Sequence, residues 1–278
     1  MGILNVTPDS FSDGGRHADT ADAVQHGFAL AAGGADIVDV GGESTRPGAR
    51  PVSVAEELAR VMPVVRELAR GGVRVSIDTM HAEVARAALD VGACLVNDVS
   101  GGLADPRMPS LVAATGVPYV VMHWRAPSST MRQHAHYQDV VGDVRAELLR
   151  RVQELTDRGV GEQQIILDPG LGFAKRPEHD WALLAHLGTF TALGLPVLVG
   201  ASRKSFLTTV HRTGSVHRTP PAARDAATTA VSALAAAAGA WGVRVHNVPA
   251  NRDAVAAAAA WRAGGQAPGT PGAPAQKR

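Results

Sequence analysis

Eight short apolar runs, each closing on polar or glycine-rich residues, recur along this chain and leave few folds open to it. They are Gly2–Val6, Asp36–Val40, Val73–Ile77, Cys94–Asn97, Val117–Met122, Gln164–Leu167, Leu195–Val199 and Gly242–Val245. Most are apolar at consecutive positions instead of alternating, as strands are when both faces of a parallel sheet are covered. Helical patterns lie between them: Thr20–Ala32, Ser53–Arg70, Ala82–Val91, a short piece near Pro106–Ala114, Tyr137–Arg158, Glu178–Leu187, Arg224–Ala238 and Ala250–Arg262. In the second, Val54, Leu58, Val61, Val65 and Leu68 recur at three- and four-residue steps, which line one helical face. Glycines follow several helices, as at Gly71-Gly72, Gly92 and Gly159.

Strand and helix alternate with a mean spacing of ~30 residues, the pattern of a single-domain α/β (β/α)₈ TIM barrel, which needs ~250 residues. An open doubly wound sheet is the competing architecture, but NVTPDSFSDGG after the first strand is not its glycine-rich phosphate turn. The barrel is expected over residues 1–263. The Pro/Gly/Ala-rich stretch 264–278 lacks periodicity and reads as a disordered tail. The first strand starts almost at Met1, so the cover of the barrel's lower end is expected to come from elsewhere.

Composition narrows the function. A formal net charge of +1 gives no electrostatic case for nucleic acid, and no apolar stretch is long enough to suggest a membrane span. The Ala-rich stretch Ala226–Ala240 is interrupted by Thr228, Thr229 and Ser232 and fits a packed interior helix. No signal peptide is legible at the N-terminus, so a cytoplasmic location is expected. The one cysteine, Cys94, sits in an apolar run and reads as a buried core residue. Lysines number three: Lys175, Lys204 and Lys277, of which Lys204 stands just past a strand end.

Polar side chains gather where a barrel carries its chemistry, at the C-terminal ends of the strands. They are Asn5 and Thr7, Asp39, Asp78, Asn97-Asp98, His123, Asp168, Ser202-Arg203-Lys204, and Arg244 with His246. Each has a plainer reading when taken alone. Asp78 and Asp98 are placed to cap the next helix, Asp168 to make a turn, and His123 to be a satisfied core imidazole. The plain account must hold at eight strand ends at once, and an active rim explains them together. Carboxylates at Asp78 and Asp168, the Asn97 amide and the Lys204 ammonium suit a flat heterocycle with an amino-oxo edge. Arg244, His246 and Arg46 supply donors for a phosphate-bearing substrate. Asn5 and Asp13 offer hard oxygens for Mg²⁺. His134 and His136 read as loop residues, and no cysteine/histidine zinc pattern is present. The stretches Thr7–Gly15 and Gly41–Gly48 read as functional βα loops.

The ordered segments GILNVTPDSFSDGG, DIVDVGGESTRPGA, VSIDT, LVNDVSGG, MHW, LDPGLGFAK, GASRKSFL and GVRVHNV resemble those of the dihydropteroate synthase family, from the first residues to about Trp261. The resemblance implies a transferase of folate biosynthesis that joins 6-hydroxymethyl-7,8-dihydropterin pyrophosphate to p-aminobenzoate, with Mg²⁺ as cofactor and a homodimer as the assembly. It implies a pterin pocket of Asp78, Asn97, Met122, Asp168, Phe173 and Lys204. Asn5, Arg244 and His246 would bind pyrophosphate, and Asn5 and Asp13 the metal. Phe11, Thr45, Arg46, Pro47 and Ser202 would meet p-aminobenzoate, which makes them the expected sulfonamide-sensitive positions. Catalysis would rest on Asp13, Asp78, Lys204, Arg244 and His246. Trp124 follows the strand-5 histidine where many family members carry Met or Gly, and is expected to alter the pocket wall. Two other readings remain at this point: a methyltetrahydrofolate:corrinoid methyltransferase, which would not need the pyrophosphate donors, and a non-catalytic pterin-binding paralogue.

Overall fold

The computed structural model describes residues 1–6, 15–43, 52–210 and 220–265. Strands and helices alternate through them. The strands are β1 (Gly2–Asn5), β2 (Val38–Gly41), β3 (Val75–Asp78), β4 (Leu95–Asp98), β5 (Tyr119–Met122), β6 (Ile165–Asp168), β7 (Leu198–Val199) and β8 (Gly242–Val243). The helices are α1 (Gly15–Ala32), α2 (Val54–Arg70), α3 (Ala82–Asp90), α4 (Met108–Thr115), α5 (Val140–Thr156), α6 (Pro177–Ala185), α7 (Leu187–Thr191), α8 (Asp225–Ala237) and α9 (Val248–Gly265). All eight expected strands are present; six are shorter than their apolar runs, and β4 and β6 keep the run's length shifted by one residue. The run Glu178–Leu187 is split into α6 and α7 at His186.

Strands β1 to β6 pair in sequence order, all parallel, and β7 pairs β8. Single parallel bridges join Leu167 to Val197 and Gly2 to Val245, so the two sheets close into one eight-stranded barrel. The closure is hydrogen-bonded on both sides of Val245, from Ile3 N to Val245 O at 2.9 Å and from Val245 N to Met1 O at 2.9 Å. Closure leaves no unpaired sheet edge.

Two apolar layers follow from the continuous strands. Val38, Val40, Val75, Ile77 and Val96 face outward onto Val61, Val64, Val65 and Leu68 of α2 and their counterparts on other helices. A smaller cluster of Leu95, Val120, Ile166 and Leu198 is formed apart from it by alternate strand positions, with Met1 and Ile37 packed against it. Helix α2 starts where the sequence allows it: the Ser53 hydroxyl accepts from Glu56 N at 3.3 Å, and Glu56 and Glu57 lie in the positive first turn.

Three expectations need revision. Cys94 is exposed, because it stands one residue before β4 and not within it. Helix α8 buries Val231, Ala235 and Ala236 but leaves Leu234 70% exposed, so it has one interior face instead of being wholly interior. The last helix runs through Gly264 to Gly265, past the boundary drawn at residue 263; residues 266–278 lie outside the described part.

One glycine carries the geometry of the rim. Gly170 has φ +70°, and a Cβ there would stand 2.4 Å from the His123 carbonyl oxygen. Its N–H also donates to Asp168 Oδ1 at 2.7 Å, so the turn that admits only glycine orients that carboxylate. Replacing Gly170 with Ala is expected to lower stability by about 1–3 kcal/mol, read as a fall in the urea midpoint at unchanged slope.

Candidate active site

The strand-end residues meet at one mouth of the barrel, in two linked groups. The first centres on Arg244, which follows β8. Its Nε donates to Asp39 Oδ2 and its Nη2 to Asp78 Oδ2, both at 2.6 Å, and Asn97 Nδ2 donates to the same Asp39 oxygen at 2.9 Å. Residues from β2, β3, β4 and the end of β8 are thereby tied together across the opening. Strand register places Asn5 opposite Gly41, Gly41 opposite Asp78, and Asp78 opposite Asn97. Gly41 lies against Asp78 in that row, since a Cβ there would stand 3.4 Å from Asp78 Oδ2.

Two carboxylates share one guanidinium, so this group carries surplus negative charge. Burial pushes the Asp78 carboxyl up to about 7; Arg244 opposes the shift and Asp39 adds to it. Burial works against the Arg244 charge as well, but Asp39 and Asp78 hold it protonated, well above the ordinary arginine range. Asp39 is fully buried, and its Oδ1 has no hydrogen-bond partner.

The second group surrounds Gly200. A Cβ at that position would lie 3.6 Å from Asp168 Oδ2 and 3.8 Å from Lys204 Nζ, so both charged groups flank one small space. Lys204 donates to Leu171 O and stands 4.8 Å from the centre of the Phe173 ring. Burial lowers the Lys204 ammonium to about 8, with Asp168 holding it up. Burial raises Asp168 against the pull of Lys204. Met122 is buried beside them, in register with Asp168. Arg203 precedes Lys204 at φ +58°; its guanidinium is clamped by both Asp225 oxygens, at 2.7 and 2.8 Å, and its carbonyl accepts from Arg224. Those contacts fix the bend from which Lys204 reaches back into the mouth. Nearby, Ser202 Oγ lies 2.9 Å from His246 Nδ1 and accepts from His246 N at 3.1 Å, linking the residues after β7 and β8.

Asp78, Asn97, Asp168, Phe173, Lys204, Arg244, Met122, Asn5, Ser202 and His246 thus all sit at the same end of the barrel. Phe11, Asp13, Thr45, Arg46 and Pro47 lie outside the described residues. Two strand-end candidates take the plainer role. Asp98 accepts from Ser100 N, Gly102 N and Tyr119 OH, so it organises a turn. His123 is a satisfied imidazole between Lys175 Nζ at 3.0 Å and Glu147 Oε2 at 2.9 Å. Lysine can only donate and carboxylate only accept, so the ring proton is on Nε2. Burial and the Lys175 charge depress His123 to about 4 and keep it neutral. Trp124 is half-buried and lines a cavity with Leu103, Glu147 and Arg150 of α5. Asp39 was marked in the sequence as a strand-end acid but given no role there, whereas Lys175 escaped the site reading and gave only the signal of a rare lysine.

An α/β barrel whose mouth combines a carboxylate–lysine pair, an amide and a buried guanidinium is built to hold a polar planar ring together with an anionic group. Comparison with known proteins agrees. The model of the pterin-binding enzymes matches residues 1–246. The chain is 55% identical over 262 residues to the dihydropteroate synthase of Mycobacterium leprae, covering 94% of this chain and 92% of that one. Two Xanthomonas albilineans dihydropteroate synthase structures superpose on it, each covering 96% of this chain. The one with 4-aminobenzoic acid has a TM-score of 0.86 at 42% identity, with 93% of its own chain covered. The one in complex with 7,8-dihydropteroate has a TM-score of 0.83 at 41% identity, with 94% covered. The chain belongs to the pterin-binding enzyme family, and within it stands with the dihydropteroate synthases.

The charge balance at Arg244 is testable. An unfolded carboxyl titrates near ~4, whereas folded Asp78 titrates at about 7. The folded state therefore binds this proton more tightly, and the ionised group opposes folding above pH 7, a penalty that fades as pH falls toward ~4. Arg244→Leu removes the counter-charge from two buried carboxylates. Its stability should fall by about 3–5 kcal/mol at pH 8 and recover part of that loss at pH 5. Equal losses at both pH values in urea melts would contradict the charge sharing.

Proposed function

We propose that this chain is a transferase that condenses 6-hydroxymethyl-7,8-dihydropterin pyrophosphate with p-aminobenzoate to give 7,8-dihydropteroate and pyrophosphate. The observation that carries this reading is the placing of Asp168 and Lys204 around Gly200, with the charges of Asp78 and Arg244 also close enough to act on Lys204. A pteridine edge presents ring N–H and amino donors beside a carbonyl oxygen. Asp168 accepts from the donors, Lys204 donates to the carbonyl, and Asn97 and Asp78 serve the remaining polar edge. Phe173 and Met122 provide apolar walls.

An arylamine is a weak nucleophile because its lone pair is delocalised into the ring. The reading therefore has the methylene C–O bond break first, its electron pair leaving with pyrophosphate. The cation delocalises into the dihydropterin ring held by Asp168 and Lys204. Arg244 and His246 stabilise the departing negative charge. The amine nitrogen then forms the C–N bond and loses a proton. Ser202, held by His246, belongs to the p-aminobenzoate side together with Phe11, Thr45, Arg46 and Pro47.

Mg²⁺ belongs to the same reading. At the end of β1, Asn5 offers one hard amide oxygen, which fits an ion that takes one or two protein oxygens and the rest from phosphate and water. Asn5 and Asp13 would hold it, and when bound it would supply positive charge to the leaving diphosphate. A homodimer is supported by the exposed Leu234, Trp241 and Trp261 on and beside α8 and α9. Among the described residues no helix is long and apolar enough to cross a membrane, and a cytoplasmic location is part of the proposal.

Purified protein given the pterin pyrophosphate, p-aminobenzoate and Mg²⁺ should release pyrophosphate and form 7,8-dihydropteroate. Pterin binding without release would leave a non-catalytic paralogue, and turnover of methyltetrahydrofolate instead would move the chain to the methyltransferases. Lys204 should also set a pH limit. Since its ammonium is lost as pH rises through about 8, pterin affinity should weaken from pH 7 to pH 9. Lys204→Met should bind about ten- to a hundredfold more weakly at pH 7 and show no such slope, measured by calorimetry.

A further inference from the structure

Beside the Arg244 group, at the same rim of the barrel, a second polar cluster stands between β2, α2 and α3. Glu43 lies two residues past the end of β2, Glu57 is in the first turn of α2, and His81 stands immediately before α3. One carboxylate oxygen from each glutamate and a ring nitrogen of His81 all lie within 4.8 Å of one another. Gly42 permits the approach, since a Cβ there would stand 3.0 Å from Glu57 Cγ.

Glu57 is 1% exposed, yet its Oε1 is buried with no hydrogen-bond partner. Its other oxygen meets His81 Nδ1 at 2.7 Å. An unsatisfied carboxylate oxygen in the interior is costly to keep, and an ion pair with His81 alone leaves it unsatisfied. Glu43 adds a second negative charge at the same point; burial, and then the charge of Glu57, raise its carboxyl. The neighbouring cation Arg60 is engaged elsewhere, by Gly42 O at 2.7 Å and by Glu56.

We propose that Glu43, Glu57 and His81 form a structural site for a divalent first-row transition ion, with Zn²⁺ as the best fit. Two carboxylates and an imidazole are the borderline donor set such ions take, whereas Mg²⁺ favours oxygen alone. Around Zn²⁺, ligand atoms stand about 3.4 Å apart, given bond lengths of about 2.1 Å. His81 Nδ1 and Glu57 therefore separate slightly while Glu43 closes in. His81 binds as the neutral ring with its proton on Nε2. The ion would tie the end of β2 to the starts of α2 and α3, and is independent of the reaction proposed above.

The test uses the full chain stripped with a chelator and titrated with ZnCl₂, with metal content measured after gel filtration. One Zn²⁺ per chain is expected, not displaced by MgCl₂ and accompanied by a rise in Tm. Glu43→Gln, Glu57→Gln and His81→Ala should each weaken binding about tenfold or more, with folding checked by circular dichroism. Glu43 is only half-buried, so its variant serves even where that of Glu57 does not fold. Cys94→Ser, which removes the exposed thiol, should bind as the parent does. Failure of the parent to retain Zn²⁺, its loss in Cys94→Ser, or parent-like affinity in Glu43→Gln and His81→Ala would each overturn the site.

Discussion

The mouth of this barrel depends on one buried guanidinium. Arg244 reaches from beside the last strand to carboxylates on the second and third, and its two hydrogen bonds at 2.6 Å tie Asp39 and Asp78 together. Two acids inside a low-dielectric wall repel one another and lose hydration; a single delocalised cation with a fixed fork of donors offsets both. The arrangement leaves surplus negative charge beside a strong cation. The proposed reading of the mouth rests on that combination.

Closure of the barrel makes this possible. Arg244 is brought to β2 and β3 because Val245 bonds to Met1 and Ile3, joining the end of the chain's last strand to its first. Glycines lie beside the charged groups: Gly41 next to Asp78, and Gly200 between Asp168 and Lys204. Lys204 is held by a similar economy of contacts. The residue before it is bent into the left-handed region and clamped by Asp225 and Arg224, so the ammonium emerges from a fixed point.

Much of the site was legible in the sequence because polar residues at apolar strand ends are conspicuous. Asp78, Asn97, Asp168, Lys204 and Arg244 all stand out this way, and all are found at the mouth. The same signal also marked His123 and Asp98, which turned out to serve structure: one sits between Lys175 and Glu147, the other organises a turn. A strand-end position tells which end of the barrel a side chain occupies, but not whether its hydrogen bonds are already used. Lys175 was missed for the converse reason, since it follows β6 by several residues and its role depends on a loop that folds back on His123.

The amino-acid sequence by itself determined the eight strands, their parallel order and the end that carries chemistry, because apolar runs and their polar endings are local properties. Tertiary structure decided the rest. Which acids Arg244 meets, how burial raises Asp78 and lowers Lys204, that Cys94 faces solvent and that Glu43, Glu57 and His81 converge are facts of distance. Residues separated by tens to hundreds of positions acquire them only when the barrel closes, because charge and hydrogen bonding act through space and not along the chain.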